Sequence, residues 1–105
     1  MKFKNDDSVN INGTSLKGYV QTTLRKLREV FGNPVIEEPS EYSKTGYEWH
    51  IEFEDGTVAT VYDWKRYTRI PLGEDEPFEF NIGGHDAHAY NLVKVAMMSG
   101  NFAIW

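Results

Sequence analysis

Hydrophobic and polar positions alternate along YEWHIEFEDGTVATVYDW, from Tyr47 to Trp64, with a break at Asp55-Gly56. Alternation with a period of two marks a half-buried strand, and Asp-Gly between two such runs predicts a hairpin on a tight type I′ turn. Pairing outward from that turn sets Phe53 opposite Val58, Ile51 opposite Thr60, Trp49 opposite Tyr62 and Tyr47 opposite Trp64. These eight side chains then share one face, while Glu48, His50 and Glu52 project from the other beside Ala59, Val61 and Asp63. A slip of one residue would exchange the faces of one strand against the other, so the register carries the argument.

Upstream, Leu16, Tyr19, Val20, Leu24, Leu27 and Phe31 recur at steps of three and four, which predicts an amphipathic helix. Thr14 or Ser15 would cap it, and Gly32 and Pro34 would end it. Residues 1–13 read as a polar lead-in closing on a short strand, with Asn12-Gly13 as a turn. Residues 37–44 read as an exposed connection, and residues 65–77 as a longer polar loop of a kind that is often functional or mobile. Phe78, Phe80 and Ile82 alternate with Glu79 and Asn81 and predict a third hairpin-type strand that Gly83-Gly84 breaks. A second helix is expected from an Asp86 cap to Gly100, burying Ala89, Leu92, Val93, Ala96 and Met97. The apolar tail NFAIW either packs on the core or docks on another chain. Together these elements predict an α+β fold: an antiparallel sheet of three to four strands with two helices packed on one face, in a single domain over residues 1–105.

Composition narrows the chemistry. With 105 residues, 40% hydrophobic and 14% aromatic, the chain can fill one modest core. It has no cysteine, which excludes disulfides, thiolate catalysis and cysteine zinc sites. No run of about 18 apolar residues suggests a membrane span, and MKFKNDDS does not read as a signal peptide, so a cytoplasmic protein is expected. The net charge of -5 opposes non-specific binding to duplex DNA. Positive charge gathers locally at Lys65, Arg66 and Arg69, directly after the second hairpin strand.

Two local patterns carry candidate chemistry. In NIGGHDAHAY a strand runs through two glycines into a helix, an arrangement that can present backbone N–H groups to phosphate or carboxylate. Gly83, Gly84 and His85 are therefore candidate anion ligands, with an ordinary turn capped by Asp86 as the simpler reading. The second pattern interleaves Tyr62, Trp64 and Tyr67 with Lys65, Arg66 and Arg69, as rings that stack on bases beside groups that meet phosphates. The hairpin register assigns Tyr62 and Trp64 to the core, leaving Arg66, Tyr67 and Arg69 as candidate ligands. His85 and His88 also admit a metal reading, but no metal-ligand spacing supports one. No nucleophile motif is present, so no catalytic residue and no cofactor are expected, and the protein is read as a non-enzyme. The Glu48, His50 and Glu52 face is a candidate protein-docking surface. Two copies meeting there or through the tail would form a symmetric dimer.

The helix LKGYVQTTLRKLREVFGNP, the hairpin EWHIEFEDGTVATVYDWK and the closing FEFNIGGHDAHAYNLV resemble a group of small bacteriophage-encoded proteins described mostly as uncharacterised. The resemblance covers most of the chain and transfers no residue role. It implies a setting: phage proteins of this kind often disable a host factor or scavenge a defence signal. The expectation is a binding protein in the infected bacterial cell that sequesters a small anionic, nucleotide-type ligand. The alternative is an inhibitor that docks its acidic surface on a host protein, by nucleic-acid mimicry or direct blockade, and a third, less favoured reading is a metal-dependent enzyme built on His85 and His88.

Overall fold

The computed structural model describes residues 1–99 and 103–104. The expected hairpin forms from β4 (Tyr47–Phe53) and β5 (Val58–Tyr62), but on a longer turn. The Phe53 N–H donates to the Thr57 carbonyl at 2.8 Å and the Gly56 N–H to the Phe53 carbonyl at 2.9 Å, which encloses Glu54, Asp55 and Gly56. Only Gly56 of these three has a positive φ, at +88°, whereas a type I′ turn needs two such residues. A three-residue turn closed by a left-handed glycine adds one residue to the loop. The register therefore differs by one from the expected pairing: Trp49 faces Val61, Ile51 faces Ala59, and Glu48 faces Tyr62.

That shift re-sorts β5. Tyr47, Trp49, Ile51 and Phe53 enter the core as expected, but their partners on that face are Ala59, Val61 and a fully buried Asp63. Val58, Thr60 and Tyr62 lie on the opposite face with Glu48, His50 and Glu52.

The first predicted helix divides into β2 (Ser15–Thr22) and α1 (Leu24–Phe31). Thr23, rather than Thr14 or Ser15, caps α1: its backbone is extended and its side chain accepts from the Lys26 N–H at 3.1 Å. Val20, Thr22 and Thr23 are β-branched and favour extended backbone, and β2 adds its length to β6 (Phe78–Gly84) as an antiparallel partner. Of the predicted stripe, Val20, Leu24, Leu27 and Phe31 are buried, while Leu16 and Tyr19 are exposed. Gly18 makes room for the ring of Tyr90, whose Cδ1 would lie 2.3 Å from a Cβ there.

Three further strands complete the sheet: β1 (Lys2–Asn5), β3 (Ile36–Glu37) and β7 (Ala103–Ile104). The α+β class holds, but three to four strands understates the sheet, which among the described residues has seven strands in the order β2-β6-β5-β4-β1-β7, with β3 sharing the outer edge of β4 with β1. All pairings are antiparallel except that of β1 with β7.

One helix-covered face carries the core, where α1 and α2 (Ala87–Ser99) meet the rings of Phe3, Trp49 and Phe80. Ala89, Leu92, Val93 and Ala96 of α2 are buried as expected, with Met97 half-buried. Asp86 caps this helix, its Oδ1 accepting from the His88 N–H at 3.0 Å. The predicted continuation to Gly100 and the packing of Phe102, Ile104 and Trp105 lie outside the described residues and side chains.

Strand order forces one more feature. β1 and β2 are separated by β4, β5 and β6, so residues 6–14 must cross the sheet. They cross on the face without helices, where Ile11 and Thr14 line a cleft together with Thr60 and Tyr62. The acidic strand face expected to lie open to a partner is thus partly roofed, and His50 is only 9% exposed.

Candidate functional site: a roofed cleft on the outer sheet face

Beneath that crossing lies an open cleft of about 220 Å³. Its floor is Thr60 and Gly83, paired across β5 and β6. A Cβ on Gly83 would lie 2.4 Å from Thr60 Oγ1 and 3.6 Å from Tyr62 Cε1, so the missing side chain is part of what keeps the floor open. Ile11, Thr14 and Ser15 form one wall, and Thr45, Glu48, Tyr62 and Trp64 the rest.

The polar side of the cleft is preset. Glu48 Oε1 lies 3.0 Å from His50 Nε2, and the Thr45 hydroxyl donates to Oε2. The backbone N–H of His50 separately donates to Asn5 Oδ1 at 3.0 Å. The Glu48 side chain is 19% exposed, so its carboxylate is mostly removed from bulk water while still reaching the cleft. A carboxylate offers about four lone-pair directions, of which these two partners use two.

The aromatic side is formed by Tyr62 and Trp64, whose rings meet edge to face with centroids 6.1 Å apart. The ammonium groups of Lys44 and Lys65 lie 5.5 Å and 5.8 Å from the Trp64 ring. Lys65 holds a left-handed backbone at φ +59°, as does Tyr67 at +43°, conformations unfavourable for residues other than glycine. The Lys65 N–H is tied to the Lys44 carbonyl at 2.7 Å, which joins the two lysine-bearing segments beside the ring.

The expected ligands are distributed differently. Gly83 lines the cleft. Gly84 faces the helices, and a Cβ there would sit 2.3 Å from Ala89 Cβ. Both glycines are the last residues of β6 rather than a turn after it, and both are paired to β2 and β5. The sheet ladders therefore take up their backbone groups, in place of the anion cradle expected from the sequence.

Arg66 is largely buried: its guanidinium donates to the Ile70 carbonyl at 3.0 Å, lies over Phe78, and stands 3.8 Å from Asp63 Oδ2. Arg69 pairs with Glu41 at 3.0 Å beside Tyr42, and Tyr67 is exposed. None of Arg66, Tyr67 and Arg69 lines the cleft that holds Gly83. Of the proposed docking face, Glu48 enters the cleft, His50 supports it, and Glu52 pairs with Lys4 at 3.5 Å.

His85 lines a second cleft, of about 260 Å³, with Asp55, Thr57 and Asp86. His88 turns to Asp55, with Nε2 3.0 Å from Oδ2. Asp55 is held below the usual carboxylate range, chiefly by the Thr57 N–H, then by the Thr57 hydroxyl and His88. Among the described residues, no group of three or more His, Asp or Glu side chains is arranged to hold a metal ion.

Thr45, Thr60, Ile11 and Thr14 escaped sequence reasoning because only the crossing segment and the true register bring them together. Tyr62 and Trp64, assigned to the core by the expected register, line the cleft on the opposite face because the turn is one residue longer. No helix among the described residues is long and apolar enough to cross a membrane. No protein-family model matches the chain, and no curated protein shows detectable sequence similarity to it.

Proposed function

We propose that this protein acts by binding rather than by turnover, and that it sequesters a small anionic ligand of the nucleotide type in the cleft beside Trp64. One observation carries this reading: Tyr62 and Trp64 stand outside the core and line an open cleft, and the ammonium groups of Lys44 and Lys65 lie 5.5 Å and 5.8 Å from the Trp64 ring. A base stacked on an aromatic ring gains about 1–3 kcal/mol, and phosphates gain from nearby ammonium groups. A space of about 220 Å³ suits a base with its phosphates left at the mouth, being smaller than the roughly 300–1,000 Å³ of drug-sized pockets. Two local lysines can serve one small anion even in a chain of net charge -5. The resemblance to small phage proteins supplies the setting, removal of a nucleotide signal in the infected cell, where affinity and abundance suffice. The docking alternative is weaker, since Glu52 is paired with Lys4, His50 is nearly buried and Glu48 is largely buried in the cleft.

The test is thermal unfolding against a panel of mono-, di- and cyclic nucleotides. A ligand at 100 times its Kd stabilises the folded state by about 2.7 kcal/mol, or roughly 10 °C or more in a chain of this size. Trp64→Ala and the pair Lys44→Ala, Lys65→Ala should each remove most of the shift, while Arg69→Ala should leave it. A panel in which no nucleotide raises the melting temperature at millimolar concentration refutes the reading.

A further inference from the structure

We infer that the cleft selects guanine, with Glu48 as the residue that reads it. The inference rests on the nucleotide reading above and adds the identity of the base. Glu48 presents a carboxylate whose two oxygens are already oriented by His50 Nε2 and the Thr45 hydroxyl, so its remaining lone pairs are directed without further ordering. It shares the cleft with Tyr62 and Trp64, which sets an acceptor pair beside the stacking surface.

Among the common bases, guanine alone carries two adjacent donors, N1–H and the 2-amino group, at the spacing of a carboxylate's oxygens. Adenine and cytosine place a ring-nitrogen acceptor next to their single amino group, and uracil flanks its one N–H with carbonyls. Each of these would set a lone pair against a largely desolvated carboxylate. Thr14, Ser15 and Thr60 line the same space; the Thr14 hydroxyl donates to the Ile11 carbonyl at 2.8 Å, which leaves the hydroxyls of Ser15 and Thr60 to donate to the acceptor edge of a purine. Lys44 and Lys65 stand beside Trp64, where phosphate would emerge.

Isothermal titration with GMP, IMP, XMP, AMP and CMP tests this. IMP lacks the 2-amino group and should bind about 10-fold or more weakly than GMP, with AMP and XMP about 100-fold weaker, as expected for hydrogen bonds to a charged acceptor. Glu48→Gln should bring GMP and IMP to within about threefold of each other while the variant still melts cooperatively. Trp64→Ala should weaken all five alike and leave the GMP to IMP ratio unchanged. Nucleotides that bind without a guanine preference, or a preference that survives Glu48→Gln, would overturn the inference and leave the nucleotide reading standing. Failure of every nucleotide would overturn both. Arginine methyl ester offers the same paired N–H edge without a base. If it bound more tightly than GMP, the carboxylate would belong to a partner's arginine and guanine selection would be wrong.

Discussion

Replacing Gly84 with alanine separates the two roles a glycine can have at this corner. In a strand interior, Gly→Ala at an ordinary backbone angle is expected to stabilise by roughly 0.5–1 kcal/mol, because the unfolded chain loses freedom. Here the new Cβ would lie 2.3 Å from Ala89 Cβ, about 1.2 Å inside the ordinary carbon contact of about 3.5 Å. Neither methyl has a rotamer to change, so β6 or α2 must move, and overpacking of this kind costs about 1–3 kcal/mol. Gly84→Ala should therefore lower the urea midpoint by about 1–2 M instead of raising it. Ala89→Gly alone should cost about 2 kcal/mol, from helix propensity and one lost buried methyl. The double variant restores one methyl to the same space and should lie only about 1 kcal/mol below the parent, a coupling of about 2–4 kcal/mol. Single-variant costs that add to within about 0.5 kcal/mol would refute the packing argument. So would a stabilised Gly84→Ala.

Asp63 and Asp55 yield two further expectations. Asp63 Oδ1 accepts from the Gly46 and Tyr47 N–H groups at 2.8 and 2.9 Å, and its carboxylate also faces Arg66. Asp63→Ala should cost about 3–5 kcal/mol by chemical denaturation, since it strands two buried donors and a largely buried guanidinium. Arg66→Ala should cost less, because those N–H groups still hold the carboxylate; a larger loss than for Asp63→Ala would contradict this. Asp55 titrates below its ordinary value in the folded chain, so the unfolded state binds its proton first. Its stabilising effect is therefore complete above the ordinary carboxylate pKa of about 3.9 and is lost as pH falls through the lower folded value. Carboxyl chemical shifts of Asp55 should show that lower midpoint, and Thr57→Pro, which removes the largest cause, should raise it.

The α+β class, the hairpin, β6 and the buried stripe of α2 were legible in the sequence because each is decided by neighbours a few residues away. Alternating Phe78, Phe80 and Ile82, or the Asp86 cap ahead of Ala89, Leu92 and Val93, needs no distant partner to be recognised. Leu16 to Thr22 was ambiguous locally, since its apolar spacing fits a helix while Val20 and Thr22 favour a strand. Pairing with β6, and the space Gly18 leaves for Tyr90, decided the matter. The register turned on one residue of loop length: a positive φ at Gly56 alone moved Tyr62 out of the core. The cleft depends on that register and on a crossing segment whose path follows from strand order. Alternation in sequence determines that a strand has two faces, but which face meets the helices depends on hydrogen bonds to other strands, and those form only in three dimensions.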